Sequence, residues 1–255
     1  MYVLYAATML YRIALAILPL LQGALAAPEP VPHPEALAEH DGLIGPRQGG
    51  YFWSYWSEGT GNFNCNNGAG GSYTVNWSGN GGFVCGKGWN PGGPRYVLPF
   101  RTNLSRLRHF NPLGTSEIKY SGTYDPTGPG YLAIYGWTQN PLIEYYIIDA
   151  HGELAPNEPW TAKGNFTFEE GTYEVFESTR VQKPSIEGTR TFQQYWSVRT
   201  EQRVGGTVST GRHFEEWQKL GMGLGYHNYM ILAVEGYTNQ ATGTTSSGTA
   251  SLNLE

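Results

Sequence analysis

Apolar and polar positions alternate with a period of two through most of the chain beyond residue 49, the signature of strands with one face buried. The alternation predicts strands over 51–56, 62–67, 72–78, 83–87, 118–120, 165–168, 173–180, 191–199, 226–237 and 250–254. Glycine-rich turns punctuate them. Gly59-Thr-Gly61 makes 62–67 the return strand of 51–56, and Gly79-Asn-Gly-Gly82 reads as a hairpin turn. Residues 125–130 turn into a longer apolar stretch, 131–148, which reads as two strands joined at 138–141. Residues 183–188 read as the tip of a tight hairpin. Helical spacing is confined to 210–220, through Phe214, Trp217 and Leu220. Thr210 is placed to cap that helix, Gly221 to stop it, and Glu215 and Lys219 to pair on its solvated face.

Two of these strands carry an isolated carboxylate. Glu144 shares a face with Leu142, Tyr146 and Ile148, beside a strand whose matching face holds Tyr131, Ala133, Tyr135 and Trp137. Glu235 shares a face with Tyr229, Ile231, Ala233 and Tyr237. A carboxylate on an apolar strand face is costly unless it has a partner or a task. One such acid reads equally well as a structural glutamate held by an arginine. Two in matching aromatic settings point to glycoside hydrolysis by paired carboxylates, since aromatic rings stack on the apolar faces of pyranoses.

Composition narrows the setting. With 255 residues, 35 glycines and 18 tyrosines, the chain suits a single all-β sandwich or barrel. A net charge of -5 offers no basic patch, so nucleic acid is excluded as an expected partner. The six histidines show no metal-ligand spacing, so no metal and no cofactor are expected. The glycine-rich turns lack the order of a phosphate-binding loop, and no GxSxG elbow occurs. Residues 1–26 read as a signal peptide, with Arg12 before the apolar run 13–21 and Ala24-Leu-Ala26 as the cleavage site; Met9 makes the better start. The run is too short to span a membrane. Residues 27–48 read as a pro-segment cut after Arg47, which leaves 49–255 as the catalytic domain of a secreted, extracellular protein. In an oxidising compartment Cys65 and Cys85 are expected to form a disulfide between neighbouring strands, the alternative being two separate buried thiols. Sequons at Asn76, Asn103 and Asn165 permit N-glycans.

A family resemblance rests on longer motifs. These are Gly50-Tyr-Phe-Trp-Ser-Tyr-Trp56, Tyr73-Thr-Val-Asn-Trp-Ser78, Phe83-Val-Cys-Gly-Lys-Gly-Trp89, Tyr135-Gly-Trp-Thr-Gln-Asn-Pro-Leu-Ile-Glu-Tyr-Tyr146, Arg180-Val-Gln-Lys-Pro-Ser-Ile186, Phe192-Gln-Gln-Tyr-Trp-Ser-Val-Arg199 and Ala233-Val-Glu-Gly-Tyr237. In that order they resemble the fungal β-jelly-roll endo-1,4-β-xylanases of glycoside hydrolase family eleven. The resemblance implies a β-jelly roll: two antiparallel sheets forming a partly closed hand with one α-helix. It implies a monomer acting on xylan by a retaining mechanism, with Glu144 as nucleophile and Glu235 as general acid, then base. In such enzymes the carboxyl groups stand roughly 5–5.5 Å apart. It implies Trp56 as a stacking platform, with Tyr131, Tyr135, Tyr146 and Tyr229 lining the cleft. Arg180 and Gln194 become hydrogen-bonding residues near the nucleophile, and Pro184 belongs to a thumb hairpin closing over the chain. The competing implication is a catalytically impaired xylan-binding or plant-defence-eliciting protein on the same fold.

Four departures stand out. Gly82 occupies a position where the family usually carries Asn or Asp bonded to the general acid, so the pH optimum is expected not to be strongly acidic. Residues 96–117 interrupt the family pattern, with Leu104, Leu107, Arg101, Arg106 and Arg108 in no strand-like order, and read as a retained intron. The stretch before residue 49 lacks the usual family strand. Lys183 and Glu187 make the thumb more charged than usual.

Overall fold

The computed structural model describes residues 50–92 and 117–255. The segments read as signal peptide and pro-segment lie outside the described residues, as do the sequon at Asn103 and the insertion up to residue 116. Glu117 itself opens a strand, opposite Ser209.

Thirteen strands and one helix follow one another among the described residues. They are Phe52–Gly59 (β1), Asn62–Asn67 (β2), Ser72–Gly79 (β3), Gly81–Trp89 (β4), Glu117–Thr127 (β5), Gly130–Gln139 (β6) and Ile143–His151 (β7). Then come Thr161–Phe168 (β8), Gly171–Lys183 (β9), Arg190–Arg199 (β10), Gly206–Ser209 (β11), Thr210–Lys219 (α1), Tyr226–Tyr237 (β12) and Ser246–Leu254 (β13). An eight-stranded sheet has the order β1-β4-β12-β6-β7-β10-β9-β8, and a five-stranded sheet the order β11-β5-β13-β3-β2. Pairing is antiparallel except between β7 and β10, which run parallel. The last two strands fill the middle of both sheets: β12 lies between β4 and β6, and β13 between β3 and β5.

Side-chain alternation explains the layering. In β3, Tyr73, Val75 and Trp77 are buried while Thr74, Asn76 and Ser78 are exposed, as expected for a sheet with one wet face. In β6 nearly every residue is buried, because both faces are covered. Leu132 and Ile134 join the core between the sheets, while Tyr131, Ala133, Tyr135 and Trp137 join a second cluster on the opposite face. Large aromatics fill the inter-sheet core, and several anchor their polar atoms. The Tyr73 hydroxyl donates to Leu232 O at 2.8 Å, Trp77 Nε1 to Ser246 Oγ at 2.8 Å and Trp217 Nε1 to Ser197 Oγ at 2.9 Å. Buried Asp149 accepts from Tyr120, Tyr173 and Arg203, which compensates its desolvation.

Several expectations are corrected. The Gly79–Gly82 turn is not a hairpin: β3 belongs to the small sheet and β4 to the large one. The turn at 59–61 likewise carries the chain from the large sheet to the small one, and β1 pairs with β4 instead of β2. Gly79, at φ +104, makes the sharp bend that such a crossing needs. The Cys65–Cys85 disulfide therefore joins β2 to β4 across the two layers, and not two neighbours within one sheet. Ser209 replaces Thr210 as N-cap and is held by Glu170, while Thr210 is buried in the first turn. The shortest ion pair of Lys219 is with Glu216, at 2.7 Å. Strand β11 adds to the expected elements, and β5, β8, β9 and β13 are longer than the alternation suggests. Asn76 and Asn165 sit exposed on β3 and β8.

Candidate active site

The second aromatic cluster lines the concave face of the large sheet. There a cleft of about 1030 Å³ opens, and all ten residues singled out for catalysis or substrate contact line it. Trp56 comes from β1, Tyr131 and Tyr135 from β6, Glu144 and Tyr146 from β7, Arg180 from β9, Gln194 from β10, and Tyr229 and Glu235 from β12. Pro184 comes from the tip between β9 and β10. Ladder register aligns the groups. Glu235 stands opposite Tyr131, Tyr135 opposite Tyr146, and the parallel pairing of β7 with β10 sets Gln194 beside Glu144.

Glu144 is buried and fully engaged. Its Oε1 accepts from the Tyr135 hydroxyl at 2.8 Å and the Tyr146 hydroxyl at 3.1 Å, and its Oε2 from Gln194 Nε2 at 2.6 Å. Each donor is itself braced. Trp137 Nε1 donates to the Tyr135 hydroxyl at 2.6 Å, Ser178 Oγ donates to Gln194 Oε1 at 3.0 Å, and Trp196 stacks on Tyr146 with centroids 4.1 Å apart. Burial pushes the Glu144 carboxyl above its ordinary range, while the Arg180 charge and the three hydrogen bonds pull it back toward the ionised form.

Glu235 has a different setting. Its Oε2 is buried and has no hydrogen-bond partner. Burial first, and then the negative charge of Glu144, push its pKa up to about 8; the neighbouring Tyr146 hydroxyl and the Arg180 charge act the other way. The two carboxyls thus sit in contrasted settings: Glu144 is held by three donors beside the Arg180 charge, while Glu235 leaves its Oε2 unpartnered and keeps its proton to about pH 8.

Residues that alternation alone did not single out complete the cleft. Glu158, in the loop before β8, holds Arg180 Nη1 at 3.2 Å and lies 3.8 Å from Lys183 Nζ. Gln139, at the end of β6, donates to Glu187 of the thumb tip at 2.8 Å and accepts from Asn228 Nδ2 at 3.0 Å. Trp160 packs on Trp196. Trp196 lies two residues from Gln194 on β10, so alternation could have found it; the loop residues carry no such signal. Gly82 lines the cleft on β4, and a Cβ there would meet nothing closer than 3.7 Å. Among the described residues no group of His, Cys, Asp and Glu could hold a metal ion.

A jelly-roll cleft with two carboxyls in opposed environments defines the class as a glycoside hydrolase. The family model for glycosyl hydrolases family 11 matches residues 48–247, and the chain belongs to that family. It is 45% identical over 211 residues to endo-1,4-beta-xylanase 1 of Pyricularia grisea, covering 82% of this chain and 78% of that protein. It is 44% identical over 225 residues to probable endo-1,4-beta-xylanase B of Aspergillus clavatus, covering 87% and 91%. A solved structure from a comparison of two major endo-1,4-beta-xylanases of Trichoderma reesei aligns with a TM-score of 0.65 at 34% identity. The alignment covers 80% of this chain and 97% of that one.

Proposed function

We propose that this glycoside hydrolase is a secreted, retaining endo-1,4-β-xylanase that cuts internal bonds of xylan by double displacement. The observation that carries the mechanism is the contrast between the two carboxyls: Glu144 accepts three hydrogen bonds, while buried Glu235 Oε2 accepts none. Family membership and the named relatives support the substrate class. Ionised Glu144 attacks the anomeric carbon as Glu235 gives its proton to the departing glycosidic oxygen. The glycosyl ester leaves Glu144 without charge. The second-largest cause of the raised Glu235 pKa then vanishes, and Glu235 can take a proton from the water that attacks the ester. Tyr135 and Gln194 hold the nucleophile in line, and Trp56 offers its ring to a sugar. Pro184 and Ile186 close the cleft from the thumb, with Ile186 packed on the aromatic cluster.

Reducing-sugar release from xylan, set beside carboxymethylcellulose, tests the substrate class. Glu144→Ala should abolish release while xylan still binds. Trapping with a 2-fluoro xyloside should place the added mass on a peptide containing Glu144; a label elsewhere, or none, would overturn the mechanism. Xylan binding without release by the native chain would favour the non-catalytic eliciting protein instead.

A further inference from the structure

Tyr226 is the most exposed large hydrophobic residue described, at 78%. Its place in the sheet is more telling than its exposure. It opens β12 directly opposite Gln139, and residues paired in this way present their side chains on the same face. Gln139 lines the cleft. The next pair, His227 with Thr138, faces the other way, and His227 packs against Tyr145 and Phe214 on the core side. By register Tyr226 thus lies on the cleft side of β12, at the start of the strand and just outside the lining residues Asn228 and Tyr229.

Polar groups suited to sugar hydroxyls line the adjoining end of the cleft. Gln139 and Asn228 are bonded to each other, and Gln139 is bonded to Glu187. Asn90 lines the same end of the cleft from the turn after β4, and that turn is fastened to β12 by Gly92 N donating to Asn228 O at 2.7 Å. The rim is therefore anchored to the sheet. An aromatic ring paired with an amide at the end of the cleft matches the kind of chemistry found around Trp56 and Tyr229. A ring left bare here contributes nothing to the core.

We propose that Tyr226 is the stacking platform of a distal sugar subsite that receives the far end of a long xylan chain. The proposal rests on the reading of the cleft as a xylan site. At the rise of an extended strand, Tyr226 stands roughly 25–30 Å of β12 from Glu235, far enough to be reached only by a chain of several sugars.

The test is the ratio of kcat/KM on xylo-octaose to that on xylotetraose. Tyr226→Ala should lower this ratio about tenfold, equivalent to about 1.4 kcal/mol of lost stacking. Tyr226→Phe, which keeps the ring, should retain most of it. The exposed position predicts no change in melting temperature for either variant. A wild-type ratio in Tyr226→Ala would overturn the subsite and leave the xylanase reading standing. A native enzyme that cleaved neither oligosaccharide would overturn the reading of the cleft itself.

Discussion

Placing an asparagine at Gly82 should move the alkaline limb of activity. Gly82 stands opposite Tyr237 on β12, diagonal to Glu235 and on the same face, within reach of a polar side chain. The space is free: a Cβ there meets Gly236 O and Tyr237 Cβ at 3.7 Å and Glu58 Oε1 at 4.0 Å, ordinary contacts all. Glu235 Oε2 lacks a donor, so the amide introduced by Gly82→Asn would supply one to the carboxylate form. A hydrogen bond to a charged group contributes about 1.5–3 kcal/mol, and about 1.4 kcal/mol is one pKa unit. The Glu235 pKa should then fall from about 8 to roughly 6–7. Because the proton on Glu235 is what the first step consumes, kcat/KM should decline at correspondingly lower pH. The assay is the pH profile of kcat/KM on soluble xylan, which reports the free enzyme. Gly82→Ala serves as the control, since it fills the space without a donor and should leave the limb in place. A folded Gly82→Asn enzyme with an unmoved alkaline limb would refute the reasoning. So would a native profile peaking well below about pH 4, since Glu235 as described keeps its proton far above that.

Glu235→Gln should stabilise the fold at alkaline pH while abolishing turnover. The acid ionises near its ordinary 4.5 once unfolded but only near 8 when folded. The native chain therefore loses stability as pH rises between these values, whereas the amide does not. Melting temperatures of the two proteins should diverge across that window; parallel curves would contradict the raised pKa. Glu158→Gln should leave Arg180 acting more fully on Glu144 and shift the acidic limb of kcat/KM to lower pH, and an unshifted limb would mean that Glu158 does not temper Arg180.

Alternation makes the catalytic strands readable because each of their residues has only two faces to choose from. Glu144 and Glu235 stand out as single charges in apolar runs, and the tyrosines sharing their faces line the cleft with them. Sheet membership is harder to read. A glycine-rich turn that reverses a strand within one sheet and one that passes it to the facing sheet use the same residues, so 79–82 and 59–61 look like hairpins and are crossings. Lys219 pairs with Glu216 at 2.7 Å while still feeling the charge of Glu215, because spacings of three and four are both neighbours on a helix. Glu158 and Trp160 reach the cleft from a loop through tertiary contacts between segments far apart in sequence, which no local period encodes, whereas Gln139 continues the β6 alternation through Tyr135 and Trp137.

The central places of β12 and β13 have a consequence for how the molecule comes into being. Until these strands are in hand, β4 and β6 have no common neighbour, and neither do β3 and β5. Each half-sheet then presents a bare strand edge, open to pairing with other chains. Folding should therefore be a late, concerted closure of both sheets, governed by contacts distant in sequence and correspondingly slow. Glu235 arrives on one of the two closing strands. The acid/base and the integrity of the sandwich are acquired in the same event, so a chain that has not finished folding has no second carboxyl in its cleft.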